Sequence, residues 1–354
     1  MQEAVNRFAE TICAAAAAGT PLRPRGGGSK DFYGGPLAGN VLDTRSYAGV
    51  IDYEPTELVI TARAGTPLAE VEAVLAEGGQ MLAFEPPHFG AATLGGCVAA
   101  GLSGPGRAAA GAVRDFVLGV RVLDGRGRDL HFGGQVMKNV AGYDVSRLMT
   151  GAMGTLGLLL EVSLKVLPLP QVQTTLRFEM PEDAALRSIN HWAGQPLPIS
   201  ASCFANNELT VRLAGAEAGV AAAQAKMGGE IQSAGDAFWS GLREQSAAFF
   251  ADALDNAPLW RLSVPSHTPP LELPGEQLIE WGGALRWLRS SAPARRIREA
   301  VARAGGHATL FRAADKSAGA FHPLAAPLLE IHRKLKLAFD PQGIFNPGRM
   351  YPEF

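Results

Sequence analysis

The stretch Pro24-Arg25-Gly26-Gly27-Gly28-Ser29-Lys30 decides how the first half of this chain is read. Three successive glycines carry no Cβ, so the backbone can turn consecutive N–H groups inward as an anion-binding nest. Arg25, Ser29 and Lys30 add donors and positive charge. A pyrophosphate is the natural guest. A flexible surface turn has the same composition, and taken alone the loop fits both readings equally.

Two more glycine segments follow. Thr93-Leu94-Gly95-Gly96 leads on to Ser103-Gly104-Pro105-Gly106, all uncharged, and would let backbone approach a large flat ligand. Gly151-Ala152-Met153-Gly154-Thr155-Leu156-Gly157 feeds an apolar β-rich run and fits either a close backbone approach or a tight turn into a strand. Gly104 to Ala109 formally matches GxGxxA. It follows no strand and sits in no βαβ unit, so a Rossmann nucleotide fold is rejected.

Around these loops the chain is ordinary. Its 354 residues suggest two domains. A net charge of -2 gives no reason to expect nucleic acid or an anionic membrane as partner. Cys13, Cys97 and Cys203 form no CxxC pair, which argues against an iron–sulfur cluster or zinc ribbon held by this chain alone. Their odd number fits a reducing compartment. Met1 to Ala18 reads as an amphipathic helix, not a signal peptide. Residues 86–106 carry no Lys, Arg, Asp or Glu, yet their prolines and glycines resist a membrane-spanning helix. That stretch is read as buried loop and short helix around a ligand.

Short strands are predicted at 41–43, 49–52 and 58–61, and a helix opens at Pro67 and stops at Gly78-Gly79. A hairpin joins 116–123 to 129–132, and a long strand covers 156–167. Beyond Pro170 come strands at 174–178, 199–204, 209–213, 260–264 and 284–288. Helices are expected at 216–227 and around 238–242, an amphipathic one follows at 323–338, and the tail keeps enough apolar residues to dock.

The three glycine segments, in this order and spacing, resemble the vanillyl-alcohol-oxidase-type (PCMH-type) FAD-binding family. Lys138-Asn139-Val140-Ala141-Gly142-Tyr143-Asp144-Val145 is similar to the KNxxGYDL stretch of its FAD-linked 2-hydroxyacid dehydrogenase branch, and the run from Asp340 to Gly348 to that branch's DPxGxxNPG. Glu85-Pro86-Pro87-His88, Val113 to Gly119, Trp281 to Leu288 and Gly305 to Thr309 narrow the resemblance to the FAD-binding subunits of bacterial glycolate oxidase (glycolate dehydrogenase). It covers the chain from about Thr20 onward.

The resemblance implies an α+β fold. A PCMH-type FAD-binding domain of two α+β subdomains at 1–170 would precede an α+β cap or substrate domain at 171–312. A C-terminal helix and tail at 313–354 would return to the flavin. Arg25, Gly26, Gly27, Gly28, Ser29 and Lys30 would hold the FAD pyrophosphate. Pro86, His88, Thr93, Leu94, Gly95, Gly96, Ser103, Gly104 and Gly106 would line the cofactor, joined by Gly157 through Val162 and by Asn346. The first loop lacks the histidine of covalently flavinylated relatives, so the FAD would be non-covalent.

On the substrate side, Arg261 and Arg286 are candidate cations for a carboxylate, with a structural salt bridge as the alternative for each. His307 is the candidate base and His322 the second choice, with a packed polar histidine as the alternative. Related catalytic dehydrogenases carry a GHxGDGNxH run that holds a divalent metal. Here the matching place reads Gly306-His307-Ala308-Thr309-Leu310-Phe311, so no metal site of that type is expected.

The expected activity is oxidation of glycolate, and of D-lactate with it, to the 2-oxo acid. Electrons would pass through flavin to an iron–sulfur subunit, beside a sister FAD-containing catalytic subunit. A free-standing FAD-dependent 2-hydroxyacid oxidoreductase and a non-catalytic structural or electron-relay subunit are the alternatives. The expected location is cytoplasmic, with contact to the inner membrane only through the complex.

Overall fold

The computed structural model describes residues 1–134, 143–251 and 257–354. In the strand Leu158–Lys165, Leu159, Val162 and Leu164 point into one core, while Leu158 and Leu160, beyond a register shift, pack into a second beneath the N-terminal helix. This strand is central in a five-stranded antiparallel sheet ordered Val50–Glu54, Val59–Arg63, Leu158–Lys165, Val117–Leu123 and Asp129–Gly133. The helices Leu68–Glu77 and Leu94–Ala100 cover it, packing Leu68, Val71, Leu75, Leu94 and Val98 against Ile60, Val120 and Val162. Each such aliphatic side chain stabilises the fold by about 1.5–3 kcal/mol through burial.

A small sheet stands beside this one. Leu22–Arg25 runs parallel to Asn40–Asp43. The N-terminal helix Gln2–Ala18 lays Val5, Phe8, Ile12 and Ala15 on it at helical spacing, together with Ile344 and Phe345 from the tail. Gly19 ends that helix in the left-handed conformation at φ 62°.

The chain passes from Lys165 to Val172 into an eight-stranded antiparallel sheet. Its order is Glu230–Ile231, Val172–Glu179, Glu208–Gly215, Ile199–Ala205, Glu276–Glu280, Leu285–Arg289, Leu259–Ser263 and His307–Arg312. Glu182–Ala193 and Ala294–Arg303 are among the helices whose apolar faces pack on it. Another of its apolar clusters joins Leu278, Trp287 and Phe311 to Tyr33, Ala100, Leu102 and Met153 of the first half.

The tail is held by a buried cation. From the helix Ala326–Phe339, Lys336 Nζ donates to Thr155 O (2.8 Å), Phe345 O (2.7 Å) and Asp340 Oδ2 (2.8 Å). The Asp340 carboxylate accepts in turn from the amides of Ile344 (3.1 Å) and Phe345 (2.7 Å). Desolvation of Lys336 is opposed by this carboxylate.

Several boundaries differ from the sequence reading. Val113–Phe116 is a helical turn, closed by the Asp115 carboxylate accepting from Ala112 N at 2.8 Å, so the strand begins at Val117. The strand predicted over 156–167 is shorter, because Gly154 and Gly157 at φ 67° and 153° keep the chain turning before Leu158. The last helix starts at Ala326 rather than Pro323. The predicted set lacks the helices Glu182–Ala193 and Ala294–Arg303 and the strands Glu276–Glu280 and His307–Arg312. Residues 138–142 of the KNxxGYD stretch lie outside the described residues.

Replacing Asp340 leaves Lys336 buried without its counter-charge. Asp340→Ala is expected to lower the unfolding free energy by about 3–5 kcal/mol in urea titration. A further Lys336→Met change should restore part of that loss. A loss below about 1 kcal/mol, the range of a surface pair, would show that the clamp does not hold the tail.

Candidate cofactor groove and substrate cleft

The first glycine loop leaves the strand Leu22–Arg25 and runs directly against the segment before the helix Leu94–Ala100. A Cβ added at Gly26 would lie 2.1 Å from Thr93 Oγ1, and one at Gly27 would lie 1.4 Å from Ala91 O. At Gly27 the obstacle is a backbone carbonyl and no side chain fits; at Gly26 the Thr93 side chain stands in the way. Among the described residues, the amides of Gly27, Gly28, Ser29 and Lys30 donate to no protein acceptor. Four successive orphan donors beside a cationic side chain form the nest expected for a pyrophosphate. Arg25 is set by Asp31, with Nε donating to Oδ2 at 2.8 Å. Lys30 Nζ donates to His88 O and Ser29 Oγ, each at 3.3 Å, and burial lowers its pKa.

The other loops close the groove. Thr93 caps its helix by accepting from Gly96 N at 3.3 Å, while Leu94 is buried beneath and Gly95 sits against Ala64. Gly157 passes so near Leu123 O that a Cβ would lie 2.6 Å away. Asn346 reaches in from the tail and donates from Nδ2 to Met153 O at 2.8 Å. Arg349 donates to Asp31 O at 2.9 Å, to Lys30 O at 3.3 Å and to Gly35 O. Two adjoining pockets share Pro24, Arg25, Gly26, Gly96, Ala99 and Met153, and together form one groove. It brings together Arg25, Gly26, Gly27, Gly28, Ser29, Lys30, Thr93, Gly95, Gly96, Gly157 and Asn346. Thr44, Met153 and Arg349 line it too, without having been singled out in the sequence.

Other predicted residues lie elsewhere. Pro86 is buried and lines neither pocket of the groove. His88 Nε2 lies 2.9 Å from Glu72 Oε2, and the His88 amide donates to Glu244. The Val162 side chain is in the core and its backbone pairs with Ala62 and Val120, so neither faces the groove. Gly106 N donates to Glu85 Oε2 at 2.7 Å. Ser103 and Gly104 line a second cleft, under the eight-stranded sheet, with Arg261, Glu280, Trp287 and Phe311.

Arg286 must be reassigned. It is fully buried, and its guanidinium donates to Pro269 O at 2.9 Å, to Gly283 O at 3.4 Å and to Thr268 O. Neighbouring side chains alternate across a strand, so Arg286 points away from the face that carries Leu285 and Trp287. It ties loops together and does not reach the cleft. Arg261 does reach it and lies 5.0 Å from the Trp281 ring centroid, with Arg107 against the same ring at 4.5 Å. His307 begins the edge strand opposite Ser263 and is exposed. Partial desolvation of its ring, with Arg261 and His322 nearby, lowers its pKa. It does not line the cleft that holds Arg261.

Glu280 was not singled out in the sequence. It is 4 % exposed, accepts from Trp287 Nε1 at 2.8 Å, and desolvation pushes its pKa up to about 7. Its only signal was an acid closing the apolar pair Leu278-Ile279 before Trp281-Gly282-Gly283.

Comparison with known proteins agrees with this geometry. The family described as "FAD binding domain" matches residues 3–133. Glycolate oxidase subunit GlcE of Escherichia coli (strain K12) is 54% identical over 335 residues, covering 94% of this chain and 93% of that protein. Glycolate oxidase subunit GlcD of Bacillus subtilis (strain 168) is 30% identical over 159 residues, 44% of this chain and 34% of its own length. Among solved structures, alkyldihydroxyacetonephosphate synthase shares the fold, with a TM-score of 0.65 at 17% identity, covering 96% of this chain and 74% of that one. The cofactor is therefore FAD, and the fold is the mixed α+β PCMH type. Likeness at 54% identity over nearly the whole of both chains places this protein in the family of the glycolate oxidase subunit GlcE.

Proposed function

We propose that this chain is the FAD-binding subunit of a complex that oxidises glycolate, and D-lactate as a second substrate, to the 2-oxo acid. The observation that carries the reading is a pyrophosphate nest of unpaired amides at Gly27 to Lys30, in a chain 54% identical to a subunit named for glycolate oxidation. When bound, FAD supplies the two-electron acceptor for the substrate's hydride. The chain's own residues position it. Arg25 and the amides of Gly27 to Lys30 neutralise the pyrophosphate, Gly26, Thr93 to Gly96 and Gly157 offer bare backbone, and Asn346 closes the groove from the tail. With no histidine in the first loop, the cofactor is held without a covalent bond.

The division into 1–170, 171–312 and 313–354 belongs to this reading. So do an iron–sulfur partner, a sister FAD-containing subunit and a cytoplasmic location. No helix among the described residues is long and apolar enough to cross a membrane. The three cysteines stand alone, so a cluster that takes up electrons would come from a partner.

Two measurements test the reading. The purified full chain should show a flavin spectrum, and FAD at a hundredfold excess over its Kd should stabilise it by about 2.7 kcal/mol. Adding glycolate anaerobically to the chain co-expressed with its partner subunits should bleach the flavin band. A colourless chain whose melting temperature ignores FAD sinks the cofactor assignment, and a band unmoved by both glycolate and D-lactate sinks the substrate. Separately, Gly27→Ala forces a Cβ onto Ala91 O. It should weaken FAD binding at least about tenfold, a loss of roughly 1.4 kcal/mol, with the far-ultraviolet circular dichroism unchanged. Full flavin content in that variant would place the pyrophosphate elsewhere.

A further inference from the structure

The second cleft holds two opposite charges that do not meet. Arg261 stands on Leu259–Ser263 opposite Trp287, and Glu280 ends Glu276–Glu280 opposite Leu285. Leu285 and Trp287 are two apart on one strand, so Arg261 and Glu280 face the same way. Both line the cleft beneath Ser103-Gly104-Pro105. Among the described residues neither has an oppositely charged group within 4.0 Å, although the field of Arg261 reaches Glu280. The Glu280 side chain has one hydrogen bond, from Trp287 Nε1. Leaving a buried carboxyl and a cation apart in one cleft is costly for stability alone, and it suits a small polar anion lying between them.

We propose that Glu280 is the proton acceptor for 2-hydroxy acid oxidation on this chain, with Arg261 across the cleft holding the substrate carboxylate. The inference rests on the functional reading above. Oxidation removes two electrons and two hydrogens. The C–H bond at the 2-carbon breaks with its electron pair, as a hydride for which FAD is the acceptor. The O–H bond breaks with its proton going to the Glu280 carboxylate, and the C=O bond forms.

The Trp281 Nε1 bond to Gly104 O at 2.9 Å fixes one wall of the cleft. His307, the base chosen from sequence, stands outside this cleft.

The surroundings give Glu280 a useful acidity. Burial is the largest influence and raises its pKa to about 7; the bond from Trp287 and the nearby Arg261 lower it, and Glu85 raises it. Of the other charges nearby, Arg107 stands against the same Trp281 ring as Arg261 with no carboxylate within 4.0 Å among the described residues, while two others are paired. Glu85 is bound by Arg212 at 2.6 Å, and Arg243 by Glu244 at 2.9 Å. Cys203, opposite Glu280 on the neighbouring strand, is a thiol held well above its usual pKa. Tyr33, beside Arg261, is a phenol whose pKa burial raises further. Near neutral pH the Glu280 carboxyl is thus divided between a form that takes a proton and a form that tolerates an incoming anion.

The test uses the full FAD-loaded chain with its partners, as wild type, Glu280→Gln and Glu280→Asp. Glutamine keeps an acceptor for Trp287, so a purely structural Glu280 would leave both readouts unchanged. The first readout is quenching of tryptophan fluorescence by oxalate, which is fully ionised throughout pH 6–8 and is not oxidised. Wild-type affinity should fall as pH rises through about 7, where Glu280 becomes charged, and that dependence should vanish in Glu280→Gln. The second is anaerobic bleaching of the flavin by glycolate. Its rate should rise with pH through the same range, and fall by a factor of about 10²–10⁴ in Glu280→Gln. Glu280→Asp should recover part of the rate. A Glu280→Gln protein that keeps the wild-type pH dependence of oxalate binding, or bleaches at the wild-type rate, overturns the proposal. Oxalate binding that follows Glu280, with no bleaching by glycolate in the wild type, supports an acid site and overturns the functional reading instead.

Discussion

Backbone meets backbone where Gly27 lies against Ala91, with Gly26 against the Thr93 side chain beside it, and the cofactor groove depends on that contact. A Cβ at Gly27 would stand 1.4 Å from a carbonyl oxygen, so the constraint is steric and admits no other residue without moving a loop. Because the two segments touch, the nest of free amides and the capped start of Leu94–Ala100 stay in one fixed relation. The ligand then meets donors already aimed, and little ordering remains to oppose binding.

The tail stabilises the same arrangement from the other side. Lys336 gathers Thr155 O, Phe345 O and the Asp340 carboxylate, which fixes Ile344 and Phe345 against the N-terminal helix. Four residues beyond Phe345, the Arg349 guanidinium holds the carbonyls of Lys30 and Asp31, the far end of the first loop. Asn346 stands between them and reaches Met153 O. A segment that is turn-rich in sequence is therefore ordered by buried hydrogen bonds to charged groups. Such bonds contribute more than neutral ones, about 1.5–3 kcal/mol each.

The sequence showed the cofactor half clearly. Glycine at closely spaced positions is a direct record of steric need, and the three loops that carry it do converge on one groove. The hairpin and the helix after Pro67 were visible too, since apolar periodicity and turn residues act locally. The substrate half was much less legible. Arg286 and Arg261 look alike in a sequence, yet one lies on the far face of its strand and is consumed by three carbonyls, while the other faces the cleft. Strand phase decides between them, and the missed strand Glu276–Glu280 would have been needed to fix it. Its five residues begin and end with glutamate, which reads as an exposed loop until neighbouring strands bury one end. His307 drew attention because histidine is the usual base at neutral pH. Burial gives Glu280 an acidity in the same range by a different route, and burial is not written in local sequence.

That difference bears on how this chain could do acid–base chemistry. Gly306-His307-Ala308-Thr309 holds its histidine among small residues with no acid beside it, and the proposed reaction takes its proton acceptor from another side chain. A carboxylate in water, with a pKa of about 4, is too weak a base to accept much of a proton from an alcohol. Moving it into the interior destabilises the charged form, and every tenfold gain in basicity corresponds to about 1.4 kcal/mol of that destabilisation. Arg261 limits the gain by attraction, while Trp287 satisfies one oxygen and fixes its direction. A wholly unpaired buried carboxylate would stay protonated, and one in a tight ion pair would be as weak a base as a surface acid. A cation in the same cleft but beyond contact leaves the carboxyl between those limits.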